Sequence, residues 1–439
     1  MSIQKFCTTH DMKIFNELPL NIRNTFLEVS KFIINKHNKM VKEKSTSFIG
    51  LRGLAYIIIN NMTKPSYFHP KEIYGINDIY ILESKEYNMK VLSLGDSHTN
   101  EYKCNGKPKD TMSVIDFITN EIITSDSYID LYLEIAYLSK AQKTGPKLRD
   151  NSYLRLMHDR FIDCFEWSKT MCKYPHLRAH YIDLRITVGD DTFVNFEGYI
   201  VMMYYRGRRS YPKETDLYMR SKKLESIFST KESLIKYISD TILGSKIQKQ
   251  IDNISQRSMR IRISKQIQLW VNEPNFYHHF KGYNYNIKWE HLKWSYIKEA
   301  MKTLDKTMIS NVYDSLVRYT AVIMDSYALA RMFRDYTPIP NKNSAKAKNI
   351  ILYNGGFHNY RYIDFMVGIL GFKITSQQYD NHSCVDVSNI NLPIFSSSDS
   401  STANLKSCPP CITTKICNPK TGNCVLRNGK VGREIIEKL

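Results

Sequence analysis

Two short elements carry the residues best suited to chemistry. Gly95-Asp96-Ser97-His98 and Gly355-Gly356-Phe357-His358 each set a histidine close behind a glycine-bearing turn. Each follows an apolar run, Lys90 to Leu94 or Asn349 to Tyr353, that reads as a β-strand. Glu134 ends a third such run, Tyr128 to Leu133, and Asp183 and Arg185 bracket the end of a fourth, His180 to Leu184. Together they supply two imidazoles, several carboxylates and a guanidinium. A histidine oriented by a carboxylate is a general base near neutral pH. The same groups, His98, His358 and Glu134 above all, can instead hold a divalent metal that activates water. A plainer reading stays open beside these. His358 can be satisfied by backbone groups at a helix start, and Glu134 can simply pair with Arg185.

Such residues act together only if their strands end side by side. Ligands of open parallel sheets sit outside the strands' carboxyl ends, where glycine lets the chain turn tightly. The apolar runs, with Phe372 to Thr375 as a fifth, are separated by helical stretches. That pattern predicts an α/β fold, a mostly parallel sheet flanked by helices. Residues 1–70 read as a helical N-terminal segment, and residues 71–385 as the α/β core. Long helical patterns at about 213–345 read as an insertion over the sheet. Residues 386–407, with the serine-rich Ser396 to Ser401, read as a linker, and 408–439 as a small separate module.

The paired Gly-x-x-His elements with the intervening Glu134 resemble the Tiki/TraB and erythromycin esterase/ChaN-like superfamily. That resemblance implies a parallel α/β core with histidines and acidic residues at the strand ends; some members are metal-dependent peptidases, some hydrolyse esters, and some bind haem or have no known activity. The chain departs from the esterase pattern at Asp96, where a glutamate is usual. The site read from sequence is thus His98, His358, Glu134, Asp96, Asp183 and Arg185. A histidine would activate water, or both would hold a metal, and Arg185 would stabilise negative charge.

The tail reads Cys408-Pro-Pro-Cys411, then Cys417-Asn-Pro-Lys-Thr-Gly-Asn-Cys424-Val. It resembles the two-cysteine adaptor domain of large nucleocytoplasmic DNA viruses, with Cys417 and Cys424 as the defining pair. The resemblance implies a virus-encoded protein of the host cytoplasm or virion, recruited to viral or host proteins through this module. A Cys417–Cys424 disulfide would staple a core too small to fold unaided. Four thiolates around one zinc ion is the rival reading. Cys7, Cys104, Cys164, Cys172 and Cys384 are scattered and read as reduced thiols.

The chain's 439 residues include 62 Lys+Arg against 43 Asp+Glu, a formal charge of +19. Such a surplus favours a polyanionic neighbour, nucleic acid included. Arg257, Arg260 and Arg262, with Trp270 and Tyr277 nearby, are the clearest basic and aromatic cluster, and a solvated helix face is the plainer and preferred reading of it. A second, Tyr204 to Arg209, follows the apolar run Ile200 to Met203, which reads as a strand end. No apolar run reaches the roughly 20 residues of a membrane span, and the N-terminus lacks a signal-peptide core, so secretion by that route is not expected. Two functional classes follow: a virus-encoded hydrolase with an adaptor tail, or a non-enzymatic virion or replication-site component with a polyanion-binding surface.

Overall fold

The structure, a computed structural model, describes residues 69–395 except 97–101, 105–109, 126, 137–152, 166–171, 173, 175, 207–211, 245, 275–286, 338–343 and 381, and the backbone of 415–418 and 423–426. The expected N-terminal helical segment, up to residue 68, lies outside the described residues.

In chain order the strands are β1 (Glu72–Tyr74), β2 (Asp78–Ser84), β3 (Met89–Asp96), β4 (Thr111–Ser113), β5 (Ile129–Ala136), β6 (Leu177–Asp183), β7 (Asn349–Gly355), β8 (Lys373–Tyr379) and β9 (Cys384–Asp386). The main sheet has the order β6-β5-β7-β3-β2-β8. Strands β6, β5, β7 and β3 run parallel to one another, and β2 is antiparallel to both β3 and β8. The four expected strands therefore do lie side by side and parallel, within one α/β sheet. They were readable as apolar runs, interrupted by Ser93, Asp130 and Asp183, because helices cover both faces of the sheet.

Alternation along the strands divides two cores. Tyr80, Leu82, Val91, Tyr132, Ile182, Ile350 and Leu352 face one helical layer. Ile81, Leu92, Leu94, Leu131, Leu133, Ile351 and Tyr353 face the other. The second layer holds α1 (Val114–Thr124) and α2 (Tyr153–Phe161). Ser113 caps α1, its hydroxyl accepting from the Asp116 N–H.

The first layer is built from the chain between β6 and β7, beginning with α3 (Arg185–Val188) and α4 (Asp191–Arg206). It includes α5 (Arg257–Asn272) and the long α6 (Lys306–Phe333). The run Ile200 to Met203 lies within α4 and does not end a strand. Helix α6 is bolted to the sheet near the strands' amino ends. Arg331 Nε donates to His180 Nδ1 at 3.0 Å, and His180 Nε2 lies 2.8 Å from Asp130 Oδ1. Arg178 Nε completes the cluster, donating to the same oxygen at 2.5 Å. Burial pushes the Asp130 carboxyl up, but His180 and Arg178 outweigh it and hold the group below its ordinary range.

Two sequence expectations change. Cys104 is bridged to Cys384, and Cys164 to Cys172, so these four are not reduced thiols. Partners as distant as residues 104 and 384 cannot be paired from spacing alone. The start of the expected linker is also packed, since Val387, Ile394 and Phe395 are buried in the second core. Ser396 onward lies outside the described residues until a backbone hairpin of β10 (Lys415–Asn418) and β11 (Asn423–Leu426).

Candidate functional site

Strands β5 and β7 end next to each other, and there two of the sequence-read residues, Glu134 and His358, meet. Glu134 leaves the end of β5 and takes the Gly355 N–H at 2.6 Å through Oε2. Gly355 caps α7 (Gly356–Asp364), which carries His358 in its first turn. Glu134 Oε1 stands 3.4 Å from His358 Nε2. The opposite ring nitrogen, Nδ1, lies 2.6 Å from Asp325 Oδ1. The imidazole is therefore held between two carboxylates and is 7% exposed. Burial pushes the His358 pKa down, but Asp325 and Glu134 outweigh it and hold the group up at about 9. At neutral pH the ring is an imidazolium.

Asp325 was not read from the sequence, yet it organises the site. It sits in the middle of α6, fully buried. Besides His358 it accepts from Arg361 Nη1 at 2.5 Å and from the Tyr362 hydroxyl at 2.8 Å. Burial raises its pKa, and the His358 and Arg361 charges more than reverse this, so it stays ionised. A signal was present. Asp325 is a lone carboxylate inside the apolar stretch Ala321 to Leu329. A charge there is costly unless paired. Arg361 falls one turn after His358, on the same helical face.

The other sequence-read residues divide. Asp183 is closed onto Arg185 by two bonds, 2.9 Å to Nε and 2.8 Å to Nη2. Arg185 also reaches Glu197 at 3.7 Å, and burial, which lowers its pKa, is overcome by Asp183, Glu197 and Glu134. The Glu134 carboxylate thus lies within the field of Arg185 as well as that of His358. Asp96 is not brought to His358. Its Oδ2 takes the Tyr353 hydroxyl at 2.7 Å, with Tyr353 packed in the second core. His98 lies outside the described residues.

A third buried carboxylate borders this edge. Asp78 is 1% exposed, opposite Gly95 in the sheet register. Asn359 Nδ2 donates to its Oδ1 at 2.7 Å, while Asn359 Oδ1 takes the Ser93 hydroxyl at 2.8 Å. A Cβ on Gly95 would collide with the Asp78 carboxylate, so the glycine is required by close approach. Burial pushes the Asp78 pKa up to about 7, against the hydrogen bonds from Asn359 and Gly95.

Of the basic cluster on α5, Arg257 and Arg262 are exposed. Trp270 is fully buried and unavailable for base stacking, and Tyr277 lies outside the described residues. Among the described residues, no helix is long and apolar enough to cross a membrane. In the hairpin, Cys417 and Cys424 are register partners on adjacent strands, while Cys408 and Cys411 lie outside the described residues.

No family model matches the chain, and neither the curated proteins nor the solved structures contain a match to it.

Proposed function

We propose that this protein is a hydrolase whose reacting centre is the Glu134–His358–Asp325 row at the carboxyl ends of β5 and β7. One observation carries the reading: a buried imidazole with a carboxylate on each ring nitrogen, at the sheet edge where α/β folds place ligands. Asp325 fixes the ring's orientation and keeps a proton on Nδ1. The second proton, on Nε2, faces Glu134 and is the one available to a leaving group, with Glu134 positioned to receive a proton from water. Arg185 neutralises part of the charge that develops on Glu134's side.

The same atoms suit a divalent ion. With metal–ligand bonds of about 2.0–2.1 Å, two donors of a tetrahedral site lie roughly 3.4 Å apart. His358 Nε2 and Glu134 Oε1 are 3.4 Å apart. A histidine whose far nitrogen is held by a carboxylate is the usual arrangement of a metal ligand. Glu134 and His358, with His98 as the third ligand of the sequence reading, would hold the ion, which would supply a water acidified toward neutrality.

The test measures ester and peptide hydrolysis by the full chain, with calorimetric titration of Zn²⁺ and Mn²⁺ in parallel. Glu134→Gln should abolish turnover, and metal binding if there is any, while shifting the melting temperature little. A Glu134→Gln protein that is much less stable, with turnover or metal binding intact, would reduce Glu134 to a structural partner of Arg185. Wild-type protein with neither turnover nor metal binding would favour the non-enzymatic reading. For the tail, the Cys417–Cys424 register supports the two-cysteine adaptor reading and hence recruitment of the core to viral or host protein partners.

A further inference from the structure

Strand β7 carries, beside the Glu134–His358–Asp325 row, a polar side chain with no part in it. Asn354 is the penultimate residue of the strand, directly before the Gly355 that caps α7. It is completely buried, and neither its Oδ1 nor its Nδ2 has a hydrogen-bond partner among the described residues. A carboxamide in that state is costly, and an apolar residue of the same size would be more stable there. Asn359, on α7, shows the structural alternative: it uses both of its atoms, on Ser93 and on Asp78.

Alternation along β7 puts Leu352 on the first-layer face and Tyr353 on the second, so Asn354 returns to the first-layer face. Tyr353 is the register partner of Leu133, which places Glu134 beside Asn354. The bond from the Gly355 N–H to Glu134 Oε2 pins that carboxylate against the peptide that follows Asn354. On the other side, Gly95 is the register partner of Asn354, and the Asp78 carboxylate lies over that glycine. The carboxamide is thus flanked by carboxylates from both directions and bonded to neither. Neighbouring polar groups that do not bond directly are commonly bridged by one water. Full burial suits an occupant of that size better than a substrate group.

We infer that Asn354 holds the attacking water against Glu134. The inference rests on the hydrolase reading and names the group that orients its nucleophile. Asn354 Oδ1 takes one hydrogen of the water and Glu134 the other, which leaves the lone pairs of the oxygen for the substrate. As that oxygen bonds to the acyl carbon, its proton passes to Glu134. The bond to the leaving group breaks, and the leaving group takes the proton from His358 Nε2. Glu134 can accept this further bond, since the two oxygens of a carboxylate offer about four acceptor sites. Asp78 is the less suitable partner, being 1% exposed and closed by Asn359 and the Gly95 N–H.

Crystallography of the full chain and the kinetics of two variants test it. The electron density should show a water at about 2.7–3.2 Å from both Asn354 and a Glu134 oxygen. Turnover is followed with p-nitrophenyl acetate and with N-acetyl-alanine p-nitroanilide. The p-nitrophenyl group leaves without a proton, so the ester reports on water attack alone. Asn354→Leu should lower kcat about a hundredfold while changing KM less than about threefold. It should not lower the melting temperature, whereas loss of a structural hydrogen-bonding residue would. Asn354→Ser, which keeps a hydroxyl and leaves room for the water, should recover part of kcat. Four results would each overturn the inference and leave the hydrolase reading standing: kcat retained in Asn354→Leu, a loss confined to KM, a loss of kcat that comes with a large fall in melting temperature, or density in which Asn354 bonds only to protein atoms. Wild-type protein without turnover on either substrate would overturn the hydrolase reading itself, and the role of the water with it.

Discussion

Asp325→Asn is the most informative single change. The carboxylate is fully buried and takes three donors, from His358, Arg361 and Tyr362. Asparagine keeps the volume and one acceptor but removes the charge. Arg361 is then a buried guanidinium left with the Pro274 and Arg318 carbonyls, at 2.9 and 3.3 Å. Removing one partner of a buried ion pair costs about 3–5 kcal/mol. At roughly 2–4 °C per kcal/mol for a large domain, the melting temperature should fall by on the order of 10 °C. The pH dependence is a second signature. The His358 pKa is held up at about 9, above its unfolded value of 6.5, so its stabilisation is complete below pH 6.5 and fades as pH rises through 9. A shift of that size corresponds to about 3 kcal/mol. Wild-type protein should lose stability across that window, and Asp325→Asn should lose much less. Calorimetric melts of both proteins at pH 6, 7.5 and 9.5 check this. A variant that melts within about 2 °C of wild type at pH 6, or one with an unchanged alkaline slope, would refute the reasoning.

Other outcomes follow from the same structure. Asp78 has its pKa raised to about 7 from 3.8, so it destabilises the fold progressively as pH rises through that interval; Asp78→Asn should therefore raise the melting temperature at pH 8 and hardly change it at pH 4. Reducing the Cys104–Cys384 and Cys164–Cys172 bridges should lower stability by about 2–4 kcal/mol for the first, read as a melt with and without dithiothreitol, and Cys384→Ser should remove most of that sensitivity. Truncation after Asp386 should lower the melting temperature, because Val387, Ile394 and Phe395 leave the second core, whereas truncation after Ser397 should not. Equal melts for the two truncations would contradict the packing of 387–395.

The strands were legible where burial on both faces makes the sequence largely apolar, as at Val91 to Leu94, broken only by Ser93, and Ile350 to Tyr353. Strand β8 alternates exposed and half-buried residues at the sheet edge and was only partly visible in Phe372 to Thr375. A glycine turn marked His358 and the end of an apolar run marked Glu134, both local features of the sequence, and the two side chains lie 3.4 Å apart. Asp325 reaches the site through tertiary packing of α6, and periodicity cannot show which strand end a helix crosses. The pleat explains Asp96. Its position falls on the face of Leu94 and Tyr353, so it turns away from His358 although it shares the same strand end.

The order of the strands has a consequence for how the chain reaches this state. β7 lies at the centre, pairing with β3 on one side and β5 on the other, yet it is synthesised only after the whole helical layer. Until residue 355 has emerged, β3 and β5 have no partner between them, and two unpaired parallel edges are exposed. Closing the sheet then requires contacts very distant in sequence, which slows folding and exposes the nascent chain to mispairing. The Glu134–His358 contact can form only at that final insertion, so the protein should acquire its site late and all at once.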